Sequence, residues 1–266
     1  MKARILLLLP LALLFAAPAA RADELDAWLS SDSHARAYSA VQGELRAVFQ
    51  EAKGHGIPAS LLMQKLQEGA SKGADGRLMV SALRSECDRL EQAIRILAGA
   101  KGPSRPPIGP EGRTAAIQSL GFLILTGLPG AVIEDLFTVG SRAGRDFQAV
   151  LSAGFAVSDM REAGALKEES CRQLGVLLLQ SEIPADAFGS VASIFANAVA
   201  GGLSSDEIAQ RIIGALRSGG GITAVTAAVS RGASQGQGAN AGPASRSPSS
   251  APGASGGGGH PSGGRK

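Results

Sequence analysis

The sequence predicts an all-α protein: an irregular array of about nine helices, followed by a Gly/Ser/Pro-rich tail. Apolar residues recur at spacings of three and four through most of residues 35–217, which is the period of one helix face. Proline and glycine clusters interrupt these stretches where helices are expected to begin and end. Aromatic residues make up only 4% of the chain, so Leu, Ile, Val and Ala must fill the core between closely spaced helices.

Most of the expected helices have a recognisable start or stop signal. Asp32 or Ser33 can cap the first helix and Asp75 the third, while Ser204 to Glu207 has the form of a capping box. Prolines are expected at the first position of three helices, where a missing N–H costs nothing. The expected helices cover 35–53, a segment from Pro58, one after Asp75, 113–126, one from Pro129, 146–156, 158–181, one from Pro184, and 205–217. Residues 222–230 fit either a short helix or an edge strand.

The turns between these helices resemble one another and predict three helix–turn-Pro–helix–Gly–helix units. Pro58 and Pro129 are each followed by glycines 11 and 15 residues later. Pro184 begins a third copy, which has Phe195 and Val199 at the two glycine positions. Units of this kind bury a continuous core when they stack. A helical bundle whose turns merely look alike is the alternative.

The N-terminus has the three parts of a secretory signal peptide. Lys2 and Arg4 form a positive start, residues 5–17 an apolar core, and the small residues Ala20 and Ala22 a cleavage site. The core of about 13 residues is shorter than the roughly 20 that a membrane-spanning helix needs. We therefore expect cleavage after Ala22, a periplasmic or secreted protein, and no integral membrane span in the mature chain.

Composition divides the rest of the chain into four segments. The prolines between residues 99 and 112 predict a linker between an N-terminal helical unit, 23–98, and units two and three, 113–230. Residues 231–266 consist largely of Gly, Ser, Ala and Pro and have no large aliphatic side chain. Such a segment cannot bury enough apolar surface to offset the entropy of ordering, and it predicts a disordered tail.

The distribution of charge argues against nucleic acid as a partner. Without residues 1–22 the chain has 23 basic and 23 acidic residues, and four of the bases lie in the tail. The remaining body has 19 bases against 23 acids. A domain that binds nucleic acid presents a basic surface, which a mildly acidic body does not favour.

Several motifs resemble catalytic or cofactor sites, but they stand in the wrong surroundings. Residues 69–73 have the G-x-S-x-G form around Ser71, and residues 54–59 match G-x-G-x-x-A. Both patterns require a preceding β-strand, and both follow predicted helices here. Neither His34 nor His55 has a His or Cys at a metal-ligand spacing. The sequence therefore assigns no catalytic residue, no cofactor-binding residue and no metal site.

Cys87 and Cys171 are the only cysteines of the chain. Two thiols in an oxidising compartment predict a possible disulfide, which requires Cα atoms within about 7 Å. Such a bridge would join the first unit to the later ones. Because Cys87 lies on an apolar stripe, the alternative is that both cysteines are small buried core residues.

These observations favour a soluble bacterial envelope protein that binds or scaffolds another envelope protein through stacked helices. The alternatives are an envelope hydrolase whose carboxylates the sequence does not locate, and a carrier of an apolar small ligand. A deep cleft with converging carboxylates would favour the hydrolase and a closed apolar cavity the carrier. A broad groove or a flat exposed patch would favour the binding module.

Overall fold

The computed structural model describes residues 24–107 and 109–236, and in this part of the chain every regular element is helical. The all-α prediction is therefore confirmed for these residues. The predicted signal peptide, residues 1–22, and most of the predicted tail lie outside them. The α-helices are α1 Glu24–Ser31, α2 Gln42–Gly54, α3 Ala59–Ser71, α4 Gly76–Gly99, α5 Pro110–Leu125, α6 Gly130–Arg142, α7 Phe147–Gly164, α8 Glu168–Gln180, α9 Phe188–Ala200, α10 Ser205–Arg217 and α11 Ile222–Gly236. Short 3-10 helices cover Ser33–Val41, Gly102–Ser104 and Ala185–Ala187.

Helices α2–α4, α5–α7 and α8–α10 form three successive groups of three, which we call trios, and the trios share the same order of turns. The middle helix of each trio, α3, α6 or α9, has 13 residues, and four residues then lead into the last helix. Each middle helix is preceded by an apolar residue and a proline, and the apolar residue is buried. These three pairs are Ile57–Pro58, Leu128–Pro129 and Ile183–Pro184.

The helices after Pro58 and Pro129 begin one residue later than the sequence predicts, so each proline is the N-cap rather than the first helical residue. Pro58 and Pro129 are N-caps with extended ψ angles of 126° and 139°, and the helices begin at the next residue. After Pro184 a 3-10 turn, Ala185–Ala187, delays α9 until Phe188. A proline at the N-cap has the same advantage as one at the first helical position, because neither needs its N–H.

The second turn of each trio contains a glycine with a positive φ angle: 70° at Gly73, 69° at Gly144 and 88° at Gly202. The residue after each glycine donates its N–H to a carbonyl five residues earlier, which ends the helix in a Schellman-type motif. Counted directly from Pro184, Phe195 and Val199 stand at the glycine positions of the third copy. The extra 3-10 turn inserts three residues after Pro184, so the later positions of the third copy are shifted by three. The equivalent glycine is therefore Gly202.

The trios pack on one another through one continuous apolar core. Helix α4 packs against α5 and α6, α7 packs against α8 and α9, and α10 packs against α11. The core runs from Leu25 to Val229 and includes residues on both sides of the proline-rich segment 99–112. Within that segment Ser104 is buried and its hydroxyl donates to the carbonyl oxygen of Arg145 at 2.8 Å. The segment is thus anchored to the turn between α6 and α7.

Several helix bounds and one cap differ from the sequence prediction. The predicted helix over 35–53 is divided into the 3-10 helix Ser33–Val41 and α2, α1 was not predicted, and α5 begins at Pro110 rather than at residue 113. Helix α7 continues through residues 156–158 and ends at Gly164, because Ser158 caps nothing and instead donates to Thr126 Oγ1 at 2.6 Å. Ser204 is the N-cap of α10 but makes no side-chain cap hydrogen bond, so the predicted capping box does not form. Residues 222–230 are helical, which resolves the open alternative, and α11 extends past the predicted tail boundary to Gly236.

The predicted bridge between Cys87 and Cys171 is wrong, because both cysteines are free thiols. Cys87 lies on α4, which packs mainly against α5, α2 and α3, whereas Cys171 lies on α8, which packs against α6, α7 and α10. The stack therefore places the two thiols in different layers of the core. Cys171 is fully buried and Cys87 is partly buried, which agrees with the alternative that they are core residues.

The two thiols should differ in reactivity in the folded protein. Burial, and then the nearby Glu51 carboxylate, raise the pKa of the Cys87 thiol to about 11, so little thiolate forms near pH 8. We expect slow iodoacetamide labelling of Cys87 that accelerates up to pH 11, and no labelling of Cys171 before unfolding. Mass spectrometry of tryptic peptides measures both rates. Fewer than two free thiols per unfolded, unreduced chain would contradict the assignment.

Candidate binding groove

The sequence motifs that resemble catalytic or cofactor-binding patterns have structural roles in the fold. Ser71 is exposed at the end of α3, where its hydroxyl donates to the carbonyl oxygen of Glu68 at 2.7 Å. Residues 54–59 form the turn from α2 into α3, with Gly56 at a φ angle of 71°. His34 lies 3.0 Å from Asp32, the residue that caps the following 3-10 helix. Among the described residues, no three His, Cys, Asp or Glu side chains cluster as a possible metal site.

One thiol lies near a histidine–carboxylate pair, an arrangement that resembles part of a catalytic site. His55 Nδ1 is 3.2 Å from Glu91 Oε2, and Glu91 follows Cys87 by one helical turn on α4. An activated cysteine needs a lowered pKa. The pKa of Cys87 is raised instead, and the charges that act on it are the carboxylates of Glu51, Asp88 and Glu86. This cluster therefore does not produce a nucleophile.

A concave surface forms a groove between α3 and α5, and α4 is the floor of its shallower part. It consists of a cleft of about 580 Å³ and a shallower depression of about 200 Å³, which adjoin at Gln118. Helix α1 and the end of α2 close one end of the groove through Leu25, Phe49 and Lys53. At the other end the groove opens between Lys65 on α3 and Leu125 on α5. We refer to this surface as the α3–α5 groove.

The corresponding helices of the next trio leave no groove, because α8 packs directly on α6. Residues of the first trio correspond to residues of the second that lie 71 positions later in the chain. A Cβ atom added to Gly175 of α8 would lie 2.5 Å from Leu136 Cδ2 and 3.4 Å from Val157 Cγ2. The contact between α8 and its neighbours is thus close, and the residues that make it are apolar.

Charged residues occupy the equivalent positions of the first trio. The apolar residues of the second trio are Leu136, Val139, Val157 and Met160. Their equivalents, which all line the α3–α5 groove, are Lys65, Glu68, Glu86 and Arg89. Burying four charges beneath a packed helix would require desolvation that their mutual attraction does not fully offset. This substitution of charged for apolar residues explains why α5 stays away from α3 and the groove remains open.

Three charged residues of the groove, Glu68, Glu86 and Arg89, take part in ion pairs. Arg89 and Glu86 pair on the floor, where their side chains are only 17% and 13% exposed. On the α3 wall Glu68 lies 2.5 Å from Lys72, and this hydrogen bond, together with the Lys72 and Lys65 charges, lowers the pKa of Glu68. The groove therefore presents both signs of charge in fixed positions along one side.

The opposite wall is an exposed stripe on α5, apolar except for Gln118. Ala115, Gln118, Phe122 and Leu125 follow one another at spacings of three and four, so they share one helix face. Phe122 is 52% exposed and Leu125 is 63% exposed, although large apolar residues elsewhere are mostly buried. Phe122 also packs on Phe155 of α7, with ring centroids 6.1 Å apart. We call these four residues the α5 stripe.

A second depression, of about 450 Å³, lies where α6 and α8 end and contains Arg142 and Arg145. The Arg145 guanidinium is already engaged there, because Nε donates to the carbonyl oxygen of Leu179 at 3.0 Å and Nη2 donates to that of Ser181. These are the unpaired carbonyls at the end of α8, which a cation stabilises. The Arg145 side chain therefore stabilises the fold and is not available for a ligand.

None of the groove residues is predicted as a site residue from the sequence. Two signals for the groove were present in the sequence. One is the exchange of charged for apolar residues between two copies of the repeat, visible once the copies are aligned from Pro58 and Pro129. The other is the run from Leu120 to Leu125, which places apolar residues on every side of α5. A helix with apolar residues on every side must pack against other segments on every side to be shielded from water.

Comparisons with protein-family models, with curated proteins and with solved structures give no match to this chain. Within the described residues, no helix has both the length and the apolar character needed to cross a bilayer.

Proposed function

We propose that this protein is a non-catalytic binding module of the bacterial cell envelope that holds a partner protein in the α3–α5 groove. The observation that carries the proposal is the exposed α5 stripe, which faces charged residues across an open groove. Exposed apolar surface beside a charged rim is the arrangement of a protein interaction site. Residues 1–22 direct export to the envelope and are removed by cleavage after Ala22, and the three stacked units act as a rigid support.

The chemistry of the groove supports recognition more than catalysis. A general acid needs a raised pKa, whereas the pKa of Glu68 is lowered by Lys72 and Lys65. Glu86 is held by Arg89 on the floor. Charges fixed in this way orient a partner and exclude wrong ones, which is their usual contribution at an interface.

A carrier of an apolar small ligand is the second candidate. The volume of the deeper cleft, about 580 Å³, lies in the range of small-molecule sites. Its lining includes the apolar residues Leu25, Phe49 and Ile57, but also Glu24, Lys53 and Glu111. The cleft is open to the shallow depression rather than closed, so the protein-binding function accounts better for the whole groove.

Capture of a partner from envelope extract tests the proposal. The bait is the tagged chain beginning at Asp23, and the test variant carries Phe122→Ser and Leu125→Ser. The matched control is Leu78→Ser, which alters a large apolar side chain that is 69% exposed and is not part of the groove lining. Removing exposed apolar residues should cost little stability, so Tm is expected to stay within a few degrees for both.

Mass spectrometry of the eluates, for proteins and for extracted small molecules, gives the result. We expect a protein that is enriched by the wild type and the control and reduced about ten-fold by the stripe variant. Co-purification of a small apolar molecule without any protein would favour the carrier. Equal capture by all three baits would contradict the assignment of the groove.

A further inference from the structure

We infer that the occupant of the α3–α5 groove is an amphipathic α-helix of the partner protein, about four turns long, lying along the α5 stripe. This inference rests on the proposed function and specifies the kind of segment that binds. The geometry of the two helical walls and the chemistry of the two sides of the groove each point to it.

The fold itself shows what covers the corresponding face in the later trios. Helix α8 lies against α6, and α11 lies against α9, so in both cases a helix covers the middle helix of the preceding trio. Helix α5 holds the equivalent place in the chain, but α3 and α5 are separated by the groove. The face of α3 towards the groove is therefore a helix face without the helix that covers its equivalents.

The α5 stripe has the spacing and length of a helix-packing surface. Its residues repeat at three and four positions, as in the ridges that interlock when two helices pack. From Glu111, which lines the closed end, to Leu125 at the open end the helix rises about 21 Å, at 1.5 Å per residue. A helix of about 14 residues matches that length, which defines the size of the expected segment.

An extended peptide fits this groove poorly. Peptides bound in the extended form gain affinity by pairing their backbone with a free sheet edge. Both walls here are α-helices, whose backbone N–H and C=O groups are paired within each helix. An extended segment would leave its own polar groups unpaired against the α5 stripe, whereas a helix satisfies its backbone internally.

The charged side of the groove argues against an acyl chain or another wholly apolar ligand. Such a ligand would cover Lys65, Glu86 and Arg89 without offering them a polar partner, and this desolvation is costly. An amphipathic helix avoids that cost. Its apolar face can rest on Phe122 and Leu125 while its polar flank meets the charges on α3 and α4.

Binding of three labelled probes to the chain beginning at Asp23 tests this inference. Two peptides share one composition of Leu, Ala, Lys and Glu. The first has leucines at spacings of three and four, and the second has leucines at every second position. The third probe is a fluorescent palmitate. Fluorescence anisotropy measures affinity, and circular dichroism measures helix content on binding. The Phe122→Ser, Leu125→Ser variant and the Leu78→Ser control are measured in parallel.

We expect the first peptide to bind at least about ten-fold more tightly than the second, to gain helix content, and to lose this preference with the stripe variant alone. Preference for the alternating peptide or for palmitate, lost with the same variant, would overturn the helical occupant and leave the groove as a binding site. If the stripe variant binds the first peptide as tightly as the wild type does, or if no probe binds, the inference that a helix occupies the groove is wrong. Extract capture equally indifferent to that variant would show that the proposed function also fails.

Discussion

The double substitution Glu86→Val, Arg89→Met is expected to raise the free energy of unfolding by about 1–4 kcal/mol while reducing partner capture. The change gives the groove floor the residues that the second trio has at the equivalent positions, Val157 and Met160. Replacing a largely buried ion pair with apolar side chains of similar volume removes the desolvation penalty of both charges. The same change removes the polar surface that the partner helix is expected to meet.

The single substitution Glu86→Val should have the opposite effect on stability. It leaves Arg89, whose side chain is only 17% exposed, without its carboxylate partner, and is expected to cost about 2–3 kcal/mol. Urea unfolding of the chain beginning at Asp23 measures both variants. The control is the exposed pair of Arg84 on the same helix with Glu44 on α2, changed to Glu44→Val with Arg84→Met, which should alter stability by less than about 1 kcal/mol. A double variant less stable than wild type would show that the floor charges stabilise the fold.

The expected increase in the free energy of unfolding is a measure of how much the charged residues of the first trio destabilise the fold. Close packing like that of α8 on α6 would be available to α5 if Lys65, Glu68, Glu86 and Arg89 were apolar. A stack selected only for stability would use the same apolar contacts throughout. A measured gain would show that these charges lower stability at one interface of the repeat, which, beside exposed apolar side chains, is typical of a functional surface.

Local signals in the sequence were sufficient for most of the fold. The helix over 205–217 was predicted at its observed bounds, and Asp75 caps α4 as expected by accepting from the N–H groups of Arg77 and Leu78. Such signals act within one or two helical turns, so a single sequence displays them. Gly73 and Gly144 predict helix ends for the same reason, because few other residues adopt a positive φ angle without strain.

What the sequence did not show depends on contacts between distant segments. The sequence predicts a helix start at Ser158 or Asp159, but the Ser158 hydroxyl donates to Thr126 Oγ1, 32 positions earlier in the chain. The pairing of Cys87 with Cys171 failed because it depended on which helices are neighbours in the stack. The groove depends on a difference between two interfaces, and this difference becomes visible only when equivalent residues are compared.

Removing the guanidinium of Arg145 should destabilise the protein by about 3 kcal/mol, the second large effect we expect. Arg145 lies in the turn between α6 and α7, and its side chain donates to the carbonyl oxygens of Leu179 and Ser181 at the end of α8. Each is a partly buried, charge-assisted hydrogen bond, worth roughly 1.5–3 kcal/mol. The substitution Arg145→Ala leaves both carbonyls without this donor and loosens the contact between the second and third trios.

Arg142→Ala is the matched control, because Arg142 lines the same depression but is exposed at the end of α6. We expect it to change the free energy of unfolding by less than about 0.5 kcal/mol. Urea unfolding gives both free energies, and native-state hydrogen exchange shows where the loss occurs. Exchange should accelerate first at the end of α8, whose last carbonyls Arg145 holds, and less in α2–α4, which lie in the first trio. A loss spread evenly over the whole chain, or equal losses for the two arginines, would contradict a local role for Arg145 at this interface.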